Sequence, residues 1–186
     1  MPNNQIKAEV TFSQIAWAKQ LELVDKFKTE VQWHGTVTRT AKNTFRVDDI
    51  LLFPHEVSAA SVDSVQEEFE AWLDTLPNDI FLKNRIHGHS HVNFGITPSG
   101  KDEDVKRRLL GNLGKPRDNY DPFYIFIILN KRGEVNCQIH DITNDVHYKA
   151  HEVQVYFEQD EKITYDLGEF VKEAKQLATL VDGGIL

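Results

Sequence analysis

The sequence predicts an α+β fold: a mixed, mostly antiparallel β-sheet flanked by helices. Three observations predict it. Strand-like and amphipathic segments alternate in the order β-α-β-β-α-β-loop-α-β-β-β-α. Short hairpin-type turns, Ala41-Lys-Asn43 and Asn130-Lys-Arg-Gly133, stand beside longer crossover connections. Phe123-Tyr-Ile-Phe-Ile-Ile-Leu129 is a continuous apolar run, the pattern of a central strand buried on both faces.

The elements follow in order. Glu9 to Phe12 reads as a strand, and Ser13 then caps a helix carrying Ile15, Ala18, Leu21, Val24 and Phe27 on one side. Val31 to Arg39 and Phe45 to Phe53 read as two strands, the second stopped by Pro54. Ser64 to Leu76 places Val65, Phe69, Trp72, Leu73 and Leu76 at helical spacing before Pro77. Asn84 to His91 is a strand that runs into a loop holding Gly95, Pro98 and Gly100, and a charged helix follows from Lys101 to Leu113. After the central strand come Val135 to Ile142 and His147 to Phe157. Leu167 to Val181 is an amphipathic helix ended by Gly183-Gly184. One domain is expected over 1–186, its core at about 9–157 and the last helix, about 166–182, packed on it.

Composition narrows the chemistry. The 186 residues hold 21 Lys+Arg and 29 Asp+Glu, a net charge of −8, with eight histidines and one cysteine. The acidic balance argues against a nucleic-acid binder. A lone Cys137 allows no internal disulfide, cysteine zinc knuckle or iron–sulfur cluster. No apolar run reaches the roughly 18 residues of a membrane span, and the polar start MPNNQIKAEV lacks a signal-peptide core. A cytoplasmic protein with no membrane partner is expected, and any metal must be held by His and carboxylate.

One segment carries such a set: His87-Gly-His89-Ser-His91, then Ser99-Gly-Lys-Asp102. On a strand the three histidines share a face. The Cα atoms of His87 and His91 lie ~13 Å apart at ~3.3 Å per residue, and a histidine places a metal roughly 6 Å from its Cα. An adjacent pair can therefore share an ion where the outer pair cannot. Asp102, eleven residues after His91 across a Gly/Pro loop, can supply a third ligand and leave one position open, as catalytic zinc requires. Pro98-Ser99-Gly-Lys-Asp102 is also a helix start, with Ser99 as N-cap, and capping and ligation can coexist.

His89-Ser-His91, seven residues, Ser99, two residues and Asp102 match H-[S/T]-H-x7-S-x2-D without a gap, and so resemble the motif of the JAMM/MPN zinc metalloproteases. Glu30-Val-Gln-Trp-His-Gly35 is similar to that family's upstream glutamate segment, and the likeness runs from about Glu9 to Leu129. The resemblance implies an MPN/JAB-like fold of cytidine-deaminase-like architecture. It also implies one Zn2+ on His89, His91 and Asp102, with Glu30 as general base and Ser99 as donor to the oxyanion. Within the family, the chain resembles stand-alone prokaryotic or viral members. The implied activity is hydrolysis of a peptide or isopeptide bond by zinc-activated water, on a protein or peptide that includes conjugates of ubiquitin-like modifiers. Val92 stands where many members have proline. His87 is expected to orient a ligand or face the substrate. Glu56 is the competitor to Glu30 as base. His34, His55, His140, His147 and His151 are expected at the surface or partly buried, and Cys137 is expected to be inert. Two other functions fit less well: a non-catalytic MPN assembly module, and a zinc amidohydrolase of a small molecule. Paired-cysteine deaminase chemistry is impossible with one cysteine.

Overall fold

A computed structural model describes residues 5–57, 62–63, 66–92, 95–159 and 164–180. Ser64, Val65, Val181 and Gly183-Gly184 lie outside the described residues. The chain runs β1 (Ala8–Phe12), α1 (Gln14–Lys26), β2 (Gln32–Ala41), β3 (Thr44–Leu51), β4 (His55–Val57) and β5 (Val62–Asp63). It continues with α2 (Gln66–Thr75), α3 (Asn78–Lys83), β6 (Asn84–His91), α4 (Gly100–Asn112), β7 (Phe123–Asn130) and β8 (Val135–Asp141). The last elements are β9 (Val146–Tyr148), a 3-10 turn (Ala150–Glu152), β10 (Val153–Phe157), α5 (Leu167–Leu177) and β11 (Ala178–Leu180).

Eight strands form one mixed sheet in the order β10-β1-β3-β2-β6-β7-β8-β9. Four of its seven ladders are antiparallel. A strand expected over His147–Phe157 is in fact two. β9 pairs with β8 at one edge, and β10 pairs with β1 at the other. Only Lys149–Glu152 separate them, so the two edges must come together and the sheet is nearly closed. A second, three-stranded sheet, β11-β4-β5, lies beside it. Its strands and α3 have no periodic signal in so few residues. The last helix also differs from expectation: it stops at Leu177, and Ala178–Leu180 extend to pair in parallel with His55–Val57.

The sheet has two covered faces. On one, Trp33, Ile86, Ile125, Ile127, Leu129 and Ile139 pack with Leu23, Val24 and Phe27 of α1 and Phe170, Val171 and Ala174 of α5. On the other, Tyr124 and Phe126 of β7 meet Phe53, Phe69 of α2, and Leu109 and Leu113 around α4. β7 feeds both cores, and all eight of its residues are buried.

Helix α1 is capped as expected by Ser13, whose Oγ accepts from the Ala16 N–H at 3.1 Å. Val24 and Phe27 are buried as expected, but the other buried positions are Ala16, Lys19, Gln20 and Leu23, while Ile15 and Ala18 are half-buried and Leu21 is exposed. Lys19 is covered because its ammonium reaches Asp49 (2.7 Å) and lies over the Tyr165 and Phe170 rings. No helix among the described residues is long and apolar enough to cross a membrane.

β2 and β6 are antiparallel neighbours with Gln32 opposite His89, Trp33 opposite Gly88 and His34 opposite His87. The fully buried Trp33 indole fills the space where Gly88 has no side chain. A Cβ there would lie 2.2 Å from Trp33 Nε1. Gly88→Ala is therefore expected to force the indole out of place and cost about 1–3 kcal/mol by overpacking, measured as a lowered urea midpoint; an unchanged midpoint would refute this packing.

Candidate metal centre

The residues facing α2 and α4 alternate with the core residues of the same strands. On β6 these are His87, His89 and His91, all buried. On β2 they are Gln32 and His34. The β2–β6 register continues through two hydrogen bonds, Ser90 N–H to Val31 O (2.9 Å) and Val31 N–H to Ser90 Oγ (3.0 Å). Carried one step further, it sets Glu30 opposite His91. Ser90 is thus the residue that ties the glutamate segment to the histidine strand.

Asp102 arrives from the parallel crossover between β6 and β7. It occupies the third position of α4 in a capping box: the Ser99 N–H donates to Asp102 Oδ2 (2.5 Å), and the Asp102 N–H donates to Ser99 Oγ (3.3 Å). This cap aims the carboxylate back at the sheet. Asp102 Oδ1 lies 3.0 Å from His89 Nε2, and Oδ2 lies 3.7 Å from His91 Nε2. The two histidine Nε2 atoms are 3.0 Å apart.

His89, His91 and Asp102 each offer one donor atom, all within 4.8 Å of one another, and could hold a metal ion. Donors around a tetrahedral zinc at ~2.0–2.1 Å lie about 3.3 Å apart, and the His89–His91 Nε2 spacing and the His89 Nε2–Asp102 Oδ1 spacing, both 3.0 Å, are close to that value. The ring of His91 is set for ligation, because its Nδ1–H donates to the Gly95 carbonyl (2.6 Å) and leaves the Nε2 lone pair facing the cluster. Hydrogen bonding to Asp102 raises the His91 pKa against the effect of burial, with Glu30 adding to it. Burial pushes Asp102 the other way, toward the neutral acid. Hydrogen bonds from His89, His91 and the Ser99 amide outweigh it and hold the carboxyl far below its usual range. The cluster favours a positive charge at its centre.

Glu30 is buried, and its pKa is raised by desolvation in spite of the opposing pull of His91 and His89; Asp102 adds to the rise. It therefore lies within electrostatic reach of the three donors. Ser99 is exposed and serves as the N-cap acceptor, with its hydroxyl proton still free to be donated.

His87 stands outside the convergent set. Its Nε2–H donates to the Gln32 amide oxygen (2.7 Å), and burial, then His34 and His89, push its pKa well down. His34 shares a 3.0 Å hydrogen bond with the Tyr124 hydroxyl and packs against Phe53, Phe69 and His87. His55 donates from Nδ1 to Phe53 O (2.8 Å) and accepts the Gln32 N–H at Nε2 (3.3 Å). Both His34 and His55 are 2% exposed, which corrects the expectation of surface or partial burial. Their rings are neutral and fully bonded, which lets imidazole replace an apolar core residue. His140, half-buried on β8, and His147, exposed on β9, stack on each other with centroids 3.9 Å apart, and burial lowers the pKa of both.

Sequence reasoning missed Gln32, Ser90 and Lys106. Lys106 belongs to the charged helix that follows the histidine strand. It sits one helical turn after Asp102, is buried, and donates to Glu103 (2.7 Å) and Gln138 (3.2 Å). With His87, His89 and Phe126 it lines a small cavity beside the Asp102 carboxylate. Its i+4 spacing from Asp102 is the one signal that could have found it. Cys137 is buried with its thiol pKa pushed up to about 12 by burial, so it is not a nucleophile.

Comparison of the chain with family models finds no match, and comparison with curated proteins finds none.

Replacing His89 or Asp102 by alanine is expected to abolish stoichiometric metal retention after mild purification, by elemental analysis. Full retention by His89→Ala would refute the site. A second expectation concerns pH. Burial lowers His34 to about 3 and His55 to about 4, whereas both titrate near 6.5 when unfolded. Below that pH the unfolded chain binds protons that the folded chain refuses. Stability is therefore intact above about pH 6.5 and falls as pH drops toward 4, by on the order of 2–3 kcal/mol for His55. Urea midpoints across this window should fall less steeply for His55→Gln than for the unsubstituted protein.

Proposed function

We propose that the chain is a zinc-dependent metallopeptidase of the JAMM/MPN type, with an MPN/JAB-like fold, that hydrolyses a peptide or isopeptide bond in a protein substrate. The observation that carries this reading is the convergence of His89, His91 and Asp102 with a buried glutamate across from His91. Convergent ligands alone would serve a structural ion. A desolvated carboxylate beside them serves proton transfer.

His89 Nε2, His91 Nε2 and an Asp102 oxygen would hold the zinc. When bound, the ion supplies Lewis acidity, lowering the pKa of a coordinated water to about 7 and polarising a carbonyl. The protein's residues do the rest. Glu30 takes a proton from the attacking water and delivers it to the leaving amine. Its raised pKa suits both directions of transfer near neutrality, because it brings the acid closer to the working pH. Ser99 donates its hydroxyl proton to the oxygen on which negative charge develops. Its other role as N-cap holds that hydroxyl at the mouth of the site. The Gly95 carbonyl fixes the His91 tautomer, and Gln32 holds His87 away from the ligand set. A substrate that reaches the centre would be a protein or peptide in extended form, including a Lys-linked conjugate of a ubiquitin-like modifier, because a water-sized cavity at Asp102 leaves no room for an enclosed small substrate.

Glu30→Gln is expected to keep its zinc and to lose hydrolysis by about 10²–10⁴-fold, measured on modifier fusions and linear peptides. Cleavage at the unsubstituted rate would exclude Glu30 as the base. A zinc-loaded protein that cleaves none of these substrates would favour a binding or assembly role.

A further inference from the structure

A groove of about 440 Å³ opens on the same side of the sheet as the metal centre, between α2, α3, α4 and the 113–120 segment. We propose that it binds an apolar monocarboxylate, a small molecule with a hydrocarbon or aromatic body and one anionic head. This inference is independent of the metal and of the hydrolytic reading.

Size is the first support. The volume falls within the roughly 300–1,000 Å³ of small-molecule sites. The floor is apolar, formed by Phe69, Leu109 and Leu113 of the second core. Phe81 and Leu82 on its wall are 43 and 53% exposed, large apolar groups left in water that a ligand body would cover.

Charge is the second support. Every charged side chain lining the groove is a cation: Arg85, Lys115 and Arg117. This occurs in a chain of net charge −8. No ion pair joins any of the three to a carboxylate among the described residues. Two of them are gathered rather than spread. The guanidinium groups of Arg85 and Arg117 lie 5.7 and 5.3 Å from the centroid of one ring, Tyr120. That ring is fixed by its hydroxyl, which donates to the Leu113 carbonyl. Like charges held near a shared ring repel each other, and an anion between them relieves the repulsion. A guanidinium fork also matches a carboxylate in two-point geometry. The head group therefore lies at Arg85 and Arg117, and the body lies on Phe69, Leu109 and Leu113. A concave pocket of this size favours a small molecule over a protein segment.

The test is isothermal titration of the whole protein with decanoate, below its micelle concentration, and with decyltrimethylammonium as the cation of equal chain length. One-to-one binding of decanoate, at least about tenfold tighter than the cation and weakened by added salt, is expected. The double variant Arg85→Gln/Arg117→Gln should lose about tenfold in decanoate affinity with an unchanged melting temperature. If that variant melts early, the single variant Arg117→Gln, at an exposed position, provides the same comparison. Equal binding of the two amphiphiles, more than one decanoate per chain, or undiminished affinity in the variants would overturn the proposal. So would binding of an acidic, apolar peptide in place of decanoate, which would assign the groove to a protein partner.

Discussion

The pairing of β2 with β6 is the constraint on which the rest of the site depends. Side chains alternate along a strand, so a slip of one residue would turn every histidine of β6 into the other core. Three features hold the register. Trp33 closes over Gly88, where no side chain fits. Ser90 bonds Val31 through both its backbone N–H and its hydroxyl. Gly35 sits where a Cβ would lie 2.5 Å from the Asp49 carbonyl on β3, so the third strand also admits only one alignment. With the register set, His34 falls across from His87, and the Val31–Ser90 hydrogen bonds carry Glu30 to the His91 end of β6. The chemistry of the site is therefore a consequence of packing on the opposite face, where none of the donor atoms lie.

The third candidate donor depends on a different rule. β6 and β7 are parallel neighbours, and a parallel pair needs a crossover that returns the chain to the same end of the sheet. Here the crossover contains α4. Its N-terminus begins above the end of β6, and the capping box aims its third residue at His89. Asp102 thus serves two purposes: Oδ2 accepts the Ser99 N–H and faces His91, and Oδ1 faces His89. The free N-terminal amides also favour its ionised form. A donor that is also a capping residue is already ordered by its cap at this loop-to-helix junction.

These two rules explain what was legible in the sequence. His89, His91, Ser99 and Asp102 are set by local periodicity and local capping, and both appear as fixed spacings. Strand β6 and the continuous run in β7 are legible for the same reason, within one residue of their ends. The nearly closed sheet was not legible. The break at Lys149–Glu152 sends β9 and β10 to opposite edges, and only the far partners β8 and β1 make that choice. The last turn of α5 likewise yields to pairing with β4, a tertiary preference that overrides helical periodicity. The buried stripe of α1 was misplaced because the helix buries Lys19 and Gln20 and exposes Leu21. A hydropathy pattern reads polar as outside, and it cannot register the Asp49 and aromatic partners that make Lys19 an interior residue.

The histidines make the same point about environment. His34, His87, His89 and His91 form a continuous row across β2 and β6, with successive ring centroids 5.2, 6.0 and 4.9 Å apart. Their surroundings change along that row. At one end Phe53, Phe69 and Trp72 enclose His34, and burial keeps it neutral. At the other end Asp102 and Glu30 face His91 and favour its positive form. His87 lies between them, uncharged and bonded to Gln32. Positive charge is thus favoured at His91 and disfavoured at His87 and His34. An ion or proton held by the carboxylates is confined to the Asp102 end, with a hydrophobic wall behind it. The same geometry separates the three histidines on this strand face: the two near the carboxylates converge, and the third donates its Nε2–H to the Gln32 amide oxygen.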